Sequence, residues 1–364
     1  MAGHRILYLG FKRNDSILVG GGVANMRSLR ALRQYFGEEN VYEYYFLDEA
    51  RGRSLWSYIQ AVALFPFDYH NGVTPSKVAH VVSIAHQYDY VFLSTSVFGI
   101  VAKRLREDGY TGRIVTHYHN VESIYYDAQM PRWLPGRSVV VRCAARNDEY
   151  GCRYSDRVIT LSRRDANYLE QHYQRRADAI VSISLPDVYK PVDSNLMTDR
   201  RPSCLFLGAY SKPNNDGVLF FVRNVLPHVD VRFSVVGKGM ARLKQENPCM
   251  ETIPVFSDVN DLSPFIEAAD FMILPIFAGS GMKVKTCESL MYGKNIIAST
   301  ESFEGYDLDP ERVGGLCNTA EEYIETLRHY IDHPVPRLNQ YSRQIFLDHH
   351  SEASTYATFT SVFD

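Results

Sequence analysis

The sequence predicts an α/β protein of two doubly wound, Rossmann-like domains, each built on a parallel sheet. Three observations predict it. Short apolar runs of strand length alternate with stretches of helical period along both halves of the chain. The alternation pauses at 184–193, where Pro186 and Pro191 lie among polar residues, and then restarts. Glycine turns follow several strands, at Gly20-Gly21-Gly22, Gly208, Gly237-Lys238-Gly239 and Gly279-Ser280-Gly281. A chain of 364 residues accommodates two domains. Their expected spans are 1–190 and 191–340, with 341–364 as closing helices.

Composition sets the class. Hydrophobic content of 45% and charged content of 22% are those of a soluble globular protein. No apolar run approaches the ~20 residues that span a bilayer. Residues 1–10 lead straight into a strand and lack a signal-peptide layout. The six cysteines form no CxxC pair and no metal-ligand spacing, which suits a reducing cytoplasm. Net charge is −3, unevenly spread: residues 1–190 carry 24 Lys and Arg against 19 Asp and Glu, so the remainder is acidic. The basic surplus lies mainly between Arg132 and Arg176. It would face anionic lipid headgroups or a phosphate-bearing acceptor, or form a solvated helix face. A nucleic-acid partner is not expected.

In the first half, residues 5–9 form an apolar strand and a loop ends in the three glycines. Val23, Met26, Leu29, Leu32 and Phe36 then recur at helical spacing. Contiguous glycines do not make the G-x-G-x-x-G dinucleotide fingerprint, which disfavours a nicotinamide oxidoreductase. Strands at 41–47, 90–94, 113–117, 157–161 and 179–183 alternate with helices at 55–64, 77–86, 97–105, 139–150 and 164–173. Ligands bind such sheets at the carboxyl ends of strands. That brings forward 117–122, His117-Tyr118-His119-Asn120-Val121-Glu122. His119 with the Glu122 carboxylate suits acid/base or charge-stabilising work. Alternatively, His119 satisfies backbone groups at a strand end.

The second half repeats the pattern, with strands at 204–207, 231–236, 252–255 and 271–274 and helices at 215–226 and 262–268. The stretch 277–300 then organises the rest. A glycine turn opens a helix, and glycines let backbone amides approach a ligand while the helix dipole favours an anion. Lys283 and Lys285 lie in the first turn, where the dipole disfavours cations unless an anion meets them. Glu288 follows within one to two turns and can accept two hydrogen bonds, as from a ribose diol. The group suggests a sugar-nucleotide pocket, with diphosphate at the turn and ribose at Glu288. A tight strand–helix connection carrying a solvated pair of lysines is the other account of the same spacing. Gly293 stops the helix, and 295–298 is a strand. A short strand ends at Leu316, 320–331 is a helix, and Pro334 and Pro336 precede helices at 341–350 and 353–363.

These residues also carry a resemblance. Ser280-Gly281-Met282-Lys283-Val284-Lys285 and Glu288-Ser289-Leu290-Met291-Tyr292-Gly293-Lys294 resemble the donor-site signature of retaining glycosyltransferases of family 4, which have the GT-B fold. Phe303-Glu304-Gly305, Phe206-Leu207-Gly208 and Asn214-Asn215-Asp216-Gly217 are similar to that family too. So are Gly20 to Asn25 and His119-Asn120-Val121-Glu122. The resemblance implies two Rossmann-like domains facing a cleft and metal-independent, retaining transfer of a hexose. The donor would be a nucleoside diphosphate sugar, UDP- or GDP-linked, and no cofactor is needed. The acceptor would be a glycan or lipid-linked glycan in bacterial surface polysaccharide synthesis. The protein would be cytoplasmic, peripheral on the inner face of the membrane. The resemblance assigns catalysis to His119, Glu122 and Lys285, and acceptor contact to Asn25. Donor binding falls to Gly21, Gly22, Lys212, Ser280, Gly281, Met282, Lys283, Val284 and Glu288. Phe256-Ser257-Asp258-Val259 resembles the loop that holds the base through its backbone.

Two positions depart from the family. Ser280 stands where many relatives have a glutamate eight residues before Glu288, and Ala209 follows Gly208 where many have an arginine. Lys212 would supply the missing phosphate contact, or Lys283 and Lys285 would carry it. The departures leave two alternatives, a catalytically silent GT-B partner subunit and a sugar-nucleotide epimerase of the same fold. A metal site would rest on Asp307-Leu308-Asp309 alone, and none is expected.

Overall fold

The computed structural model describes residues 3–12, 20–47, 63–70, 72–191, 201–279 and 281–364. The chain divides into two compact units, Met1–Ser182 with Thr355–Asp364, and Ile183–Ser354. The division falls at Ser182, ahead of the proline-bearing stretch expected to mark it. The segment that rejoins the first unit begins at Thr355 rather than at 341.

The first unit is built on a parallel sheet of β1 (Ile6–Gly10), β2 (Val41–Tyr45), β3 (Tyr90–Leu93), β4 (Arg113–Tyr118), β5 (Arg157–Thr160) and β6 (Ala179–Ile180). Their order is β2-β1-β3-β4-β5-β6. β1 pairs Ile6 with Val41 on one side and with Tyr90 on the other. Both faces of the sheet are covered, so β1 and β3 are continuous apolar runs rather than alternating ones. Ile6, Tyr8, Tyr90 and Phe92 pack on one face with Leu32 and Phe36 of the helix Gly20–Phe36 and with Phe359 and Phe363. Leu7, Leu9, Val91 and Leu93 pack on the other with Val78, Val81 and Phe98.

The second unit repeats the plan with β7 (Ser203–Leu207), β8 (Arg232–Gly237), β9 (Val255–Ser257), β10 (Phe271–Leu274), β11 (Asn295–Ala298) and β12 (Gly314–Leu316). All pairs are parallel, in the order β12-β11-β10-β7-β8-β9. Its core joins Phe206, Phe221, Phe233, Phe271, Ile297 and Tyr323. The succession of strands reverses between β7 and β10 here, and between β1 and β3 in the first unit. Open α/β sheets bind ligands at these switch points, outside the carboxyl ends of the strands.

Several elements differ from expectation. The three glycines form the first turn of the helix Gly20–Phe36 rather than the end of a loop. The helix Glu122–Gln129 follows directly on β4, and the next helix extends over Arg137–Tyr154. β6 is only two residues long, and β9 lies three residues later than its expected start. Ser280, residues 192–193 of the connection and 55–62 of an expected helix lie outside the described residues. Among the described residues no helix is long and apolar enough to cross a membrane. The six cysteines are free thiols, all buried except Cys249.

Candidate functional site

In the second unit, chemistry gathers at the switch point between β7 and β10. β7 ends at Leu207, and Gly208 follows. A Cβ on Gly208 would lie 3.0 Å from Lys285 Nζ and 2.9 Å from Asn214 Nδ2, so any larger residue would push those two side-chain ends from where they meet. β8 closes in from the other side. Gly237, at φ 151°, would place a Cβ 2.0 Å from the Gly208 carbonyl oxygen. β10 leads through Gly279 (φ 153°) and Gly281 (φ 68°) into the helix Val284–Met291, for which Lys283 is the N-cap. Positive φ suits both positions to glycine. The first-turn amides of Val284 and Lys285 lie outside the helix's own hydrogen-bond ladder.

The two lysines are held differently. Lys283 Nζ donates to Glu301 Oε1 at 2.6 Å and to the Gly281 carbonyl at 2.8 Å. Lys285 Nζ donates to Asn214 Oδ1 and lies 4.7 Å from the centre of the Phe206 ring. Asn214 Nδ2 donates to the Ala209 carbonyl at 2.7 Å, which turns its own oxygen toward the lysine. The helix start is pinned from below. Tyr306 Oη donates to the Lys283 carbonyl at 2.7 Å, and Thr286 Oγ1 to the Ser302 carbonyl at 2.7 Å. Met282 is buried, its sulfur accepting from the Ile183 amide at 3.5 Å.

Electrostatics at this helix start are finely balanced. Removal from water lowers the Lys285 ammonium to about 7, and neighbouring Lys283 lowers it further while Glu288 opposes. Removal from water raises Glu288 to about 7, opposed by Lys285. An arriving anion would favour the charged ammonium of Lys285 and the neutral carboxyl of Glu288. Lys212 is the first residue of the helix Lys212–Asn224, exposed, and paired with Asp216 at 2.6 Å. The residue of this segment that reaches Lys285 is Asn214. Asp309 caps the short helix Pro310–Val313, accepting from the Glu311 amide at 3.1 Å.

In the first unit, the ends of β3 and β4 carry a second cluster. His119 Nε2 lies 3.2 Å from His117 Nδ1, which is also 3.2 Å from Ser28 Oγ. Glu122 does not orient His119. Its Oε1 accepts from Thr95 Oγ1 at 3.3 Å, and the histidine's partner is His117. Burial, together with the Arg27 guanidinium, lowers His119 to about 3, so it is a neutral imidazole at ordinary pH. Burial and the nearby Asp148 carboxylate raise Glu122 to about 8. Asp148 accepts from Ser96 Oγ at 2.7 Å and from the Ser123 amide at 2.9 Å, which anchors the helix Glu122–Gln129. Asn25, in the second turn of its helix, buries Oδ1 without a hydrogen-bond partner among the described residues. Gly21 and Gly22 lie in that helix's first turn.

Sequence reasoning missed Ser28, Thr95 and Asp148 in the first unit, and Glu301 as the partner of Lys283 in the second; His117 lay within a quoted segment without a role. Asn214 lay within a quoted motif without a role. The signals were faint: Thr95 and Glu301 lie just past predicted strand ends, and Ser28 and Asp148 are polar positions within predicted helices.

Two doubly wound parallel sheets, the second with cations and glycines at its switch point, define the class: the fold is GT-B. Residues 201–333 match the family model of glycosyl transferases group 1. The whole chain superposes on solved GT-B structures. Sucrose-phosphate synthase from Thermosynechococcus elongatus gives a TM-score of 0.74 at 14% identity, covering 99% of this chain and 98% of that one. Anabaena HepE, solved in complex with UDP and with UDP-glucose, gives 0.68 with UDP at 15% identity, covering 99% of both chains. The catalytic domain of starch synthase IV from Arabidopsis thaliana, bound to ADP and acarbose, gives 0.61 at 11% identity over 99% of both. No curated protein matches the sequence.

Proposed function

We propose that the protein is a glycosyltransferase that moves a hexose, with retention, from a nucleoside diphosphate sugar to a glycan or lipid-linked glycan. The observation that carries this is the Lys285 ammonium at the β7–β10 switch point, set at a glycine-opened helix start beside Lys283. Charge on a departing diphosphate would be met there by two ammonium groups and first-turn amides, which supply the stabilisation without a metal. Glu288 forms no side-chain hydrogen bond among the described residues, which leaves its two oxygens for a ribose diol. UDP-sugars are the first donors to test, since HepE was solved with UDP-glucose. His119 and Glu122 would face the transferring sugar or the acceptor, with Asn25 on the acceptor. A neutral His119 can donate or accept a hydrogen bond but brings no charge. Bacterial surface polysaccharide synthesis at the cytoplasmic membrane face fits a lipid-linked acceptor. Exposed Trp133, 79% accessible beside Arg132 in the loop before the helix Arg137–Tyr154, would meet that surface.

The test is donor turnover with and without glycan acceptors, following the anomeric configuration of the product. Lys285→Ala and Glu288→Ala are each expected to lower kcat/KM at least about a hundredfold, some 2.7 kcal/mol. Wild-type rates in both variants would remove the donor-site assignment. Binding without turnover would favour a silent partner subunit, and a new sugar nucleotide formed without acceptor would favour an epimerase.

A further inference from the structure

The two ammonium groups at the helix start have partners of different charge. Lys283 is paired with a carboxylate, Glu301. Lys285 has a neutral amide oxygen, and among the described residues Asn214 is the only hydrogen-bond partner of its ammonium group. We propose that Asn214 is a positioning residue for donor binding: it fixes the Lys285 amine with an uncharged acceptor, so that the group takes up a proton and pairs with the diphosphate when the donor arrives. The inference deepens the proposed function and rests on it.

Three features make Asn214 suited to this. Its amide is spent on the Ala209 carbonyl at 2.7 Å, so its oxygen cannot rotate away from Lys285. Gly208 leaves the space in which the two side chains meet. An amide oxygen occupies one hydrogen-bonding position of the amine without cancelling its charge, whereas a carboxylate there would compete with phosphate. The charged groups facing Lys285 are Lys283 and Glu288, on its own helix segment. The strand β7 and the helix Lys212–Asn224 present the uncharged Phe206 and Asn214. Of the nearby ions, Glu301 is engaged with Lys283 and Lys212 with Asp216. Among the described residues no carboxylate is bonded to Lys285, and its amine sits at about 7, largely discharged at pH 8. A phosphate beside it favours the ammonium and draws in a proton.

The experiment is calorimetric titration of UDP and of uridine into the full chain at pH 8, in buffers of differing ionisation enthalpy. At that pH a terminal phosphate is already dianionic, since its second pKa is about 6, so proton uptake reports the protein. Wild type is expected to take up about 0.5–1 proton with UDP and none with uridine. Asn214→Asp places a carboxylate on the amine, keeps it charged beforehand and competes with phosphate. It should bind UDP about tenfold more weakly, with clearly less proton uptake than wild type, Glu288 accounting for what remains. Asn214→Ala should also lose about tenfold for UDP, and both variants should bind uridine as wild type does. Wild-type UDP affinity and uptake in both variants would overturn the positioning role alone. Equal losses for UDP and uridine would also overturn it, marking Asn214 as a structural residue. A wild type that binds neither UDP nor, titrated in the same way, GDP would remove the donor reading and this inference together.

Discussion

Lys283 and Lys285 are two residues apart, yet a single substitution should separate their roles. The Glu301 carboxylate holds Lys283 and sits beside the glycine turn: a Cβ on Gly279 would lie 3.5 Å from its Oε1. A diphosphate at this turn must displace or tolerate that negative charge. Glu301→Gln keeps the shape and removes the charge, so UDP affinity should rise about three- to tenfold, measured by calorimetry, with uridine unaffected. Glu122 offers a test by pH. Its folded value, about 8, lies above that of an ordinary carboxyl. Between the unfolded value and 8 the folded protein holds a proton that the unfolded chain has released. Stability therefore falls as pH rises through that window, by up to about 1.4 kcal/mol per unit. Glu122→Gln has no proton to lose. It should flatten the limb between pH 5 and 8 and gain on the order of 1–3 kcal/mol over wild type at pH 8 in denaturant titrations.

At the scale of elements, glycines set how closely the pieces around the site approach. Gly217, in the helix that carries Asn214, would place a Cβ 2.1 Å from the Pro275 carbonyl, where β10 ends. Alanine favours a helix interior by about 1 kcal/mol, whereas overpacking against backbone costs about 1–3 kcal/mol or more. The clash wins, because neither backbone can swing aside as a side chain would. Gly217→Ala should destabilise the second unit by about 1–3 kcal/mol and weaken UDP binding, since lifting the helix moves Asn214 from Lys285. Elements of this kind were legible where packing writes a pattern. β1, β3 and β10 are continuous buried apolar runs, as is β11 after Asn295, and their strand length showed in the sequence. The helix Glu122–Gln129 was not legible, because Glu122, Ser123 and the paired tyrosines lack an apolar period and its start is anchored by Asp148 from another helix. The helix start at Gly20 was hidden by three residues of poor helix propensity. The site divided in the same way. Lysines, glycines and Glu288 on one contiguous segment were readable together. The Lys285–Asn214 bond joins residues 71 positions apart, and only the β7–β10 adjacency creates it.

At the scale of the whole molecule, the chain's last ten residues belong to its first unit. Closing helices were expected to return, and Thr355–Asp364 does so by burying two aromatic side chains completely. Phe363 packs 5.3 Å from Phe36 and 5.8 Å from Tyr90, ring centre to ring centre, and its carbonyl accepts from Tyr90 Oη at 3.1 Å. Phe359 lies 5.8 Å from Phe92 and 6.3 Å from His117, with the Arg27 guanidinium 5.3 Å over its ring. The same segment thus fills the core behind β1 and β3 and supports the groups that keep His119 neutral. The second unit has its own core, drawn wholly from residues between 204 and 335. Truncating a buried phenylalanine costs about 3–5 kcal/mol, a large share of the stability of a domain. Phe363→Ala should therefore lower the unfolding free energy of the first unit by that amount, moving its midpoint to lower denaturant, and leave the second unit's transition in place. UDP affinity should stay within about twofold of wild type, because Lys285, Asn214 and Glu288 belong to the other unit. Denaturant unfolding, read by fluorescence with and without UDP, separates the two transitions. A single merged transition, with UDP affinity lost in parallel, would show instead that the two cores stand or fall as one cooperative unit.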